Sequence, residues 1–142
     1  MSPRSTARRS GYKRRKSWLP SAVTIETVHA DLAGYAIQPD AWDNIVSIFC
    51  HLPSEIRKEL HRKVVTGLRP GGHFVLEAYS VEQLKFGTGG PPDADRLMRL
   101  ADVQTELAGL HFELAQEIER DIFEGQFHRG TGAVVQILAI KP

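Results

Sequence analysis

Between residues 42 and 79 the chain alternates apolar run, apolar stripe and apolar run. WDNIVSIFC (42–50) is nearly continuous, holding Ile45, Val46, Ile48 and Phe49. Such a run predicts a short strand buried on both faces, as in a parallel sheet. In LPSEIRKELHRKVVTGLRPGG the residues Ile56, Leu60, Val64 and Leu68 recur every four positions, the stripe of one helix face. Pro53 suits an early helical position and Glu55 favours the positive N-terminal end. Gly71 or Gly72 supplies the unusual dihedrals of the exit, and HFVLEAY is the next buried strand. Strand, helix and strand over 42–79 form a βαβ unit, which implies a right-handed crossover and parallel strands.

Upstream, VTIETVHADL (23–32) is β-branched and alternating, predicting a strand, and Pro39-Asp40 breaks the chain after it. Downstream, SVEQLKFGTGGPPD is a loop long enough to be functional or mobile. A helix follows at about 95–108 on Leu97, Leu100 and Leu107. FELAQEIERDIF and GAVVQILAIKP read as strands joined by the turn EGQFHRGT, which makes them antiparallel. The first of the pair also fits a helix. The class is α/β, with parallel strands and a C-terminal antiparallel hairpin.

Composition narrows the picture. At 142 residues the chain holds one domain at most, and no apolar run approaches the roughly 18 residues that cross a membrane. One cysteine, Cys50, excludes an internal disulfide and fits a reducing, cytoplasmic compartment. The net charge of +1 conceals an asymmetry: residues 1–20 carry Arg4, Arg8, Arg9, Lys13, Arg14, Arg15 and Lys16 without one acid, so the remainder is net acidic. This arm reads as a solvated, disordered tail. Tyr12 and Trp18 are too few for a base-stacking platform, which argues against nucleic acid as a partner. Cys50-His51 suggests thiol or metal chemistry only weakly, because strand neighbours point to opposite faces. His51, His61 and His73 lack zinc spacing.

GLRPGG running into HFVLEAYS, preceded by WDNIVSIFCHLP and followed by the hairpin, resembles the class I S-adenosylmethionine-dependent methyltransferases, and within them the small tellurite-resistance-like branch. The similarity covers residues 23–142. It implies a Rossmann-like sheet of order 3-2-1-4-5-7-6 with S-adenosylmethionine across the carboxyl ends of the strands. Carried over position by position, Asp31 would accept the adenine amino hydrogens with the Leu32 amide beside it; a turn aspartate is the plain alternative. Phe49, Cys50, His51 and Leu52 would flank the methionine part of the cofactor and keep water out. His128 would stand at the active-site mouth to position a small soft acceptor or accept a proton, or else is an exposed turn histidine. Tyr79 and Phe86 would enclose that acceptor, with core packing the alternative for Tyr79. No metal is implied.

The resemblance also implies a first strand with a glycine-rich turn, and no Gly-x-Gly occurs before Val23. The sheet is therefore expected to be incomplete and the chain N-terminally truncated, with impaired methyl transfer. The competing expectation is a non-catalytic half-domain that serves as an interaction module. Codons compatible with residues 1–22, read one nucleotide earlier, can encode a strand ending in aspartate and an amphipathic helix, so the arm is expected to be an out-of-frame translation. The strand at 42–50 would then be a hydrophobic edge open to self-association.

Overall fold

The computed structural model describes residues 24–123, 125 and 129–142. The basic arm and His128 lie outside the described residues. The elements are β1 (Trp42–Ile48), α1 (Ser54–Gly67), β2 (Leu68–Tyr79), α2 (Leu100–Glu106), β3 (His111–Phe123) and β4 (Arg129–Ile140). The strands form one sheet ordered β1-β2-β4-β3. β1 runs parallel to β2, and β4 is antiparallel to both of its neighbours. This is the 4-5-7-6 part of the order that the resemblance implies.

The helix-to-strand passage at 67–73 has no connecting loop. Leu68 closes α1 by donating its amide to the Val64 carbonyl and at once opens β2. Register then slips: Trp42 faces Leu68 but Asn44 faces His73. Arg69 to Gly72 stand opposite the single residue Asp43, a surplus of three bulged out of the ladder. The two glycines divide the work. Gly71 takes φ +80°, a left-handed conformation, with open space around it. At Gly72 a Cβ would meet the Arg69 carbonyl oxygen at 2.8 Å, so that position requires glycine for close backbone approach.

Both helices cover the same sheet face. Phe74, Leu76 and Ala78 of β2 and Val135, Ile137 and Ala139 of β4 pack with Val64, Leu68, Val103 and Leu107 into one core. The α1 face differs by about one residue from the apolar stripe. Arg57 and His61, not Ile56 and Leu60, are the fully buried positions in the first two turns, with relative exposures of 4% and 3%. They are tolerated because Glu106, the last residue of α2, comes to meet them. Arg57 donates Nη2 and Nε to Glu106 at 2.7 to 3.2 Å, and His61 Nδ1 lies 2.7 Å from Glu106 Oε2. Arg57 Nη1 also reaches the carbonyls of Asp95 and Leu97. Burial pushes the Glu106 carboxyl up, but the bonds from His61 and Arg57 outweigh it and hold the group below its usual value.

Several expectations are corrected. Residues 24–30 form no strand and residues 32–34 are a turn, because the sheet offers them no neighbour among the described residues. β1 stops at Ile48 and is not buried on both faces: Val46 and Ile48 are 63% and 50% exposed. The helix expected at 95–108 divides into a 3-10 turn, Ala94–Arg96, and α2, since Leu97 and Met98 are extended where Met98 bridges Ser80. The loop after β2 also folds locally, as a 3-10 turn over Val81–Lys85. The segment that fitted either a helix or a strand is β3.

Arg57→Ala should destabilise the fold by about 3–5 kcal/mol, since it strands a buried carboxylate. Replacing the charged cluster together, Arg57→Met with His61→Leu and Glu106→Leu, should cost far less; urea melts of the two variants compare them. Because the folded Glu106 value is depressed, its contribution is complete above about pH 4.5 and is lost as pH falls through the folded value. The triple variant should therefore show a shallower acid dependence below pH 4.5.

Candidate functional site

The carboxyl end of β1 is where the chain turns across the sheet. Phe49 sits at φ 48°, a left-handed conformation costly for a residue with a bulky side chain. Its amide still donates to the Glu77 carbonyl at 2.7 Å, so the ladder to β2 continues for one residue before the turn. The turn brings three rings together. Phe49 and Tyr79 have centroids 4.9 Å apart at 41°, and His51 stacks on Tyr79 at 5.4 Å and 16°. The Tyr79 amide donates to His51 Nε2 at 3.0 Å, which places the proton of the neutral imidazole on Nδ1. Burial lowers the His51 pKa to about 4, and a backbone hydrogen bond with Phe49 only partly offsets this. The His51 imidazole is thus neutral at pH 7. Cys50 is half-buried, and burial pushes its thiol up, away from nucleophilic use.

Tyr79 is 2% exposed, so it belongs to the packing beneath the site together with Leu97, Ile122 and Val134. Two glycines make room for its ring: a Cβ at Gly90 would lie 2.8 Å from Cδ2 and one at Gly132 3.3 Å from Cε1. The loop carrying Gly90 is fastened by Gln83, which is buried. Its Nε2 donates to Thr88 Oγ1 and the Gly89 carbonyl, both at 3.0 Å, and its Oε1 accepts the Ala133 amide at 2.9 Å. Thr88 in turn donates to the Thr131 carbonyl at 2.8 Å. The loop expected to be functional or mobile is thus pinned to β4. Phe86 closes the 3-10 turn at its start and is half-buried. Gln83 carried no apolar-pattern signal in the sequence and was missed for that reason.

Phe49, His51 and Tyr79 are thus brought together, with Cys50 and Leu52 contributing backbone between and after them. Asp31 and Leu32 are placed in a separate turn. Asp31 is exposed, its Oδ1 accepts the Ala33 amide at 2.9 Å, and its carbonyl accepts the Gly34 amide. That geometry is an Asx turn, the plain alternative for this residue. Among the described residues no cluster of three His, Cys, Asp or Glu side chains could hold a metal. A groove of about 860 Å³ lies between α1 and α2, lined by Arg57, Lys58, Asp95, Leu97 and Glu106 among others. None of the residues expected at the site lines it; its floor is the ion pair that joins the helices.

Because His51 is held neutral in the fold, its contribution to stability is complete above its ordinary value of 6.5 and is lost as pH falls toward about 4. His51→Gln keeps an acceptor for the Tyr79 amide without titrating. Urea midpoints taken between pH 7 and pH 5 should fall in the parent chain and stay nearly level in this variant.

No family model and no curated protein sequence matches the chain. Solved structures do. TehB from Haemophilus influenzae superposes with a TM-score of 0.65 at 18% identity, covering 84% of this chain and 42% of that one. An S-adenosylmethionine-dependent methyltransferase from Mesorhizobium loti gives 0.57 at 19% identity, covering 79% and 67%. Another from Methanosarcina mazei gives 0.58 at 13% identity, covering 79% and 65%. The chain therefore spans between two fifths and two thirds of the length of these structures. Over that span, the sheet order, the βαβ unit and the terminal hairpin are those of the class I S-adenosylmethionine-dependent methyltransferase fold.

Proposed function

We propose that this chain carries the methionine-side flank of an S-adenosylmethionine site and belongs to a methyltransferase acting on a small, soft acceptor. The observation that carries the reading is the left-handed turn at Phe49. It costs conformational energy, and it lays the backbone of residues 49–52 across the carboxyl ends of β1 and β2, where open α/β sheets bind ligands. The rings of Phe49 and His51 over Tyr79 make this flank dry and uncharged. A sulfonium donor needs such a wall, because alignment and desolvation do most of the work of methyl transfer to a soft nucleophile. In this reading Phe49 to Leu52 flank the methionine portion, and Asp31 and Leu32 serve the adenine. Phe86 would border the acceptor, with Tyr79 supporting it from below, and His128 would position it. The described residues contain no glycine-rich turn ahead of β1, so affinity for the cofactor by this chain alone should be weak and turnover impaired.

A second reading, a half-domain without methyl-transfer activity, is favoured by one observation. Val46 and Ile48 leave β1 and its open face apolar and exposed, as a surface awaiting a neighbour would be.

Calorimetric titration with S-adenosylmethionine should give a saturable heat. Phe49→Gly keeps the backbone conformation and removes the ring, and should weaken binding about tenfold, near 1.4 kcal/mol. A titration with no saturable heat at millimolar cofactor would reject the methyltransferase reading for this chain and leave the second.

A further inference from the structure

The turn at Phe49 interrupts the ladder between β1 and β2 halfway through a residue. In a parallel ladder, a residue that donates its amide to the neighbouring strand also accepts, through its carbonyl, the amide two positions further along that strand. Phe49 donates to the Glu77 carbonyl at 2.7 Å, so a regular ladder would next have the Tyr79 amide donate to the Phe49 carbonyl. The Tyr79 amide donates instead to His51 Nε2 at 3.0 Å, and the backbone of Phe49 bonds to the same imidazole. We propose that His51 is a positioning residue, whose ring stands in for the missing ladder bond and so holds the left-handed turn that lays residues 49–52 across the strand ends. The inference deepens, and rests on, the reading of those residues as the methionine-side flank of an S-adenosylmethionine site.

Three observations select this role. The first is hydrogen-bond capacity. Backbone groups shielded from water are costly unless they are bonded. With Phe49 at φ 48°, its carbonyl leaves the ladder, and the amide of Tyr79, a residue 2% exposed, takes the imidazole in its place. A neutral imidazole offers one acceptor and one donor. With Nε2 accepting from Tyr79, the donor is Nδ1, and the Phe49 bond favours the protonated ring, as a carbonyl acceptor does. The second is fixed orientation. The ring stacks on Tyr79 at 5.4 Å and 16°, and its centroid lies 6.1 Å from that of Phe49, so its plane is set by the two residues it joins. The third is charge. Both bonds need the neutral ring, because a protonated one would turn a second N–H toward the Tyr79 amide. The titratable groups beside it are the Cys50 thiol and the Tyr79 phenol, and its low value comes from burial, with no part from a charged side chain.

The clip can be read without cofactor. Long-range proton–nitrogen spectra of the full chain should show the His51 ring neutral, with its proton on Nδ1, from pH 7 down to pH 5. Hydrogen exchange at the Tyr79 amide should be slow in the parent chain and in His51→Gln, whose side-chain amide also carries an acceptor and a donor. In His51→Phe, which keeps a ring and loses both bonds, that exchange should be faster by about tenfold or more. Calorimetric titration with S-adenosylmethionine should follow the same order, about tenfold weaker in His51→Phe and rescued to within about threefold of the parent in His51→Gln. A ring that only fills space would give the reverse order, with His51→Phe close to the parent, and would overturn the proposal; so would a proton on Nε2. Should His51→Phe not fold, the ring spectrum and His51→Gln decide. A parent chain with the Nδ1 proton and slow Tyr79 exchange but no saturable heat rejects the cofactor reading and leaves the clip. A cofactor heat unchanged in His51→Phe rejects the clip and leaves the reading.

Discussion

One carboxylate organises the covered half of the molecule. Glu106 ends α2, and by accepting from Arg57 and His61 it ties the start of α1 to the end of α2 across the core. A buried ion of this kind adds little net stability over an apolar substitute, but it is unforgiving of partial loss. Its role is geometric: it sets the rotation of α1 and, through the carbonyls of Asp95 and Leu97, the path of the chain leaving the carboxyl end of β2. The candidate site lies at that end of the sheet, so helix packing and site geometry share one polar anchor.

The site itself is held from below. Tyr79 is the common partner of Phe49, His51, Gly90 and Gly132; a Cβ at Gly90 would press on its ring, and one at Gly132 would first meet Ile122 and Gln83. Gln83 then fixes the following loop to β4 by three hydrogen bonds. Order in this region comes from satisfied polar groups in a small-residue setting more than from apolar volume. The strained backbone at Phe49 is consistent with it, since strain persists where surroundings over-determine a conformation.

The sheet is protected unevenly. β3 carries exposed Glu113, Glu117, Glu119 and Asp121, charges that discourage another strand from pairing with it. β1 has Asp43, already paired with Arg69, and otherwise presents Trp42, Val46 and Ile48. The charged edge is finished as a surface; the apolar edge and the face beside it are finished as an interior.

The alternation and four-residue spacing of apolar side chains in the sequence determined β1, α1, β2 and β4, because those periods reflect backbone geometry within one element, and left β3 open between strand and helix. The same local chemistry identified GLRPGG as the helix exit, and the order of these segments pointed to the sheet. Tertiary structure alone decided what depends on partners distant in sequence. Arg57 and His61 lie off the four-residue apolar stripe, and it is Glu106, more than forty positions away, that bonds to both of them in the core. Residues 24–30 have strand-like alternation but no neighbour in the described sheet, and a strand exists only as a pair. Likewise Asp31 and Phe49 are both named by the resemblance, yet Phe49 is held by long-range contacts at the strand ends, while Asp31 gives one carboxylate oxygen to its own turn. Periodicity reports which side of an element is apolar. Whether that side meets a helix, a ring or water is settled by the chain's return from far away.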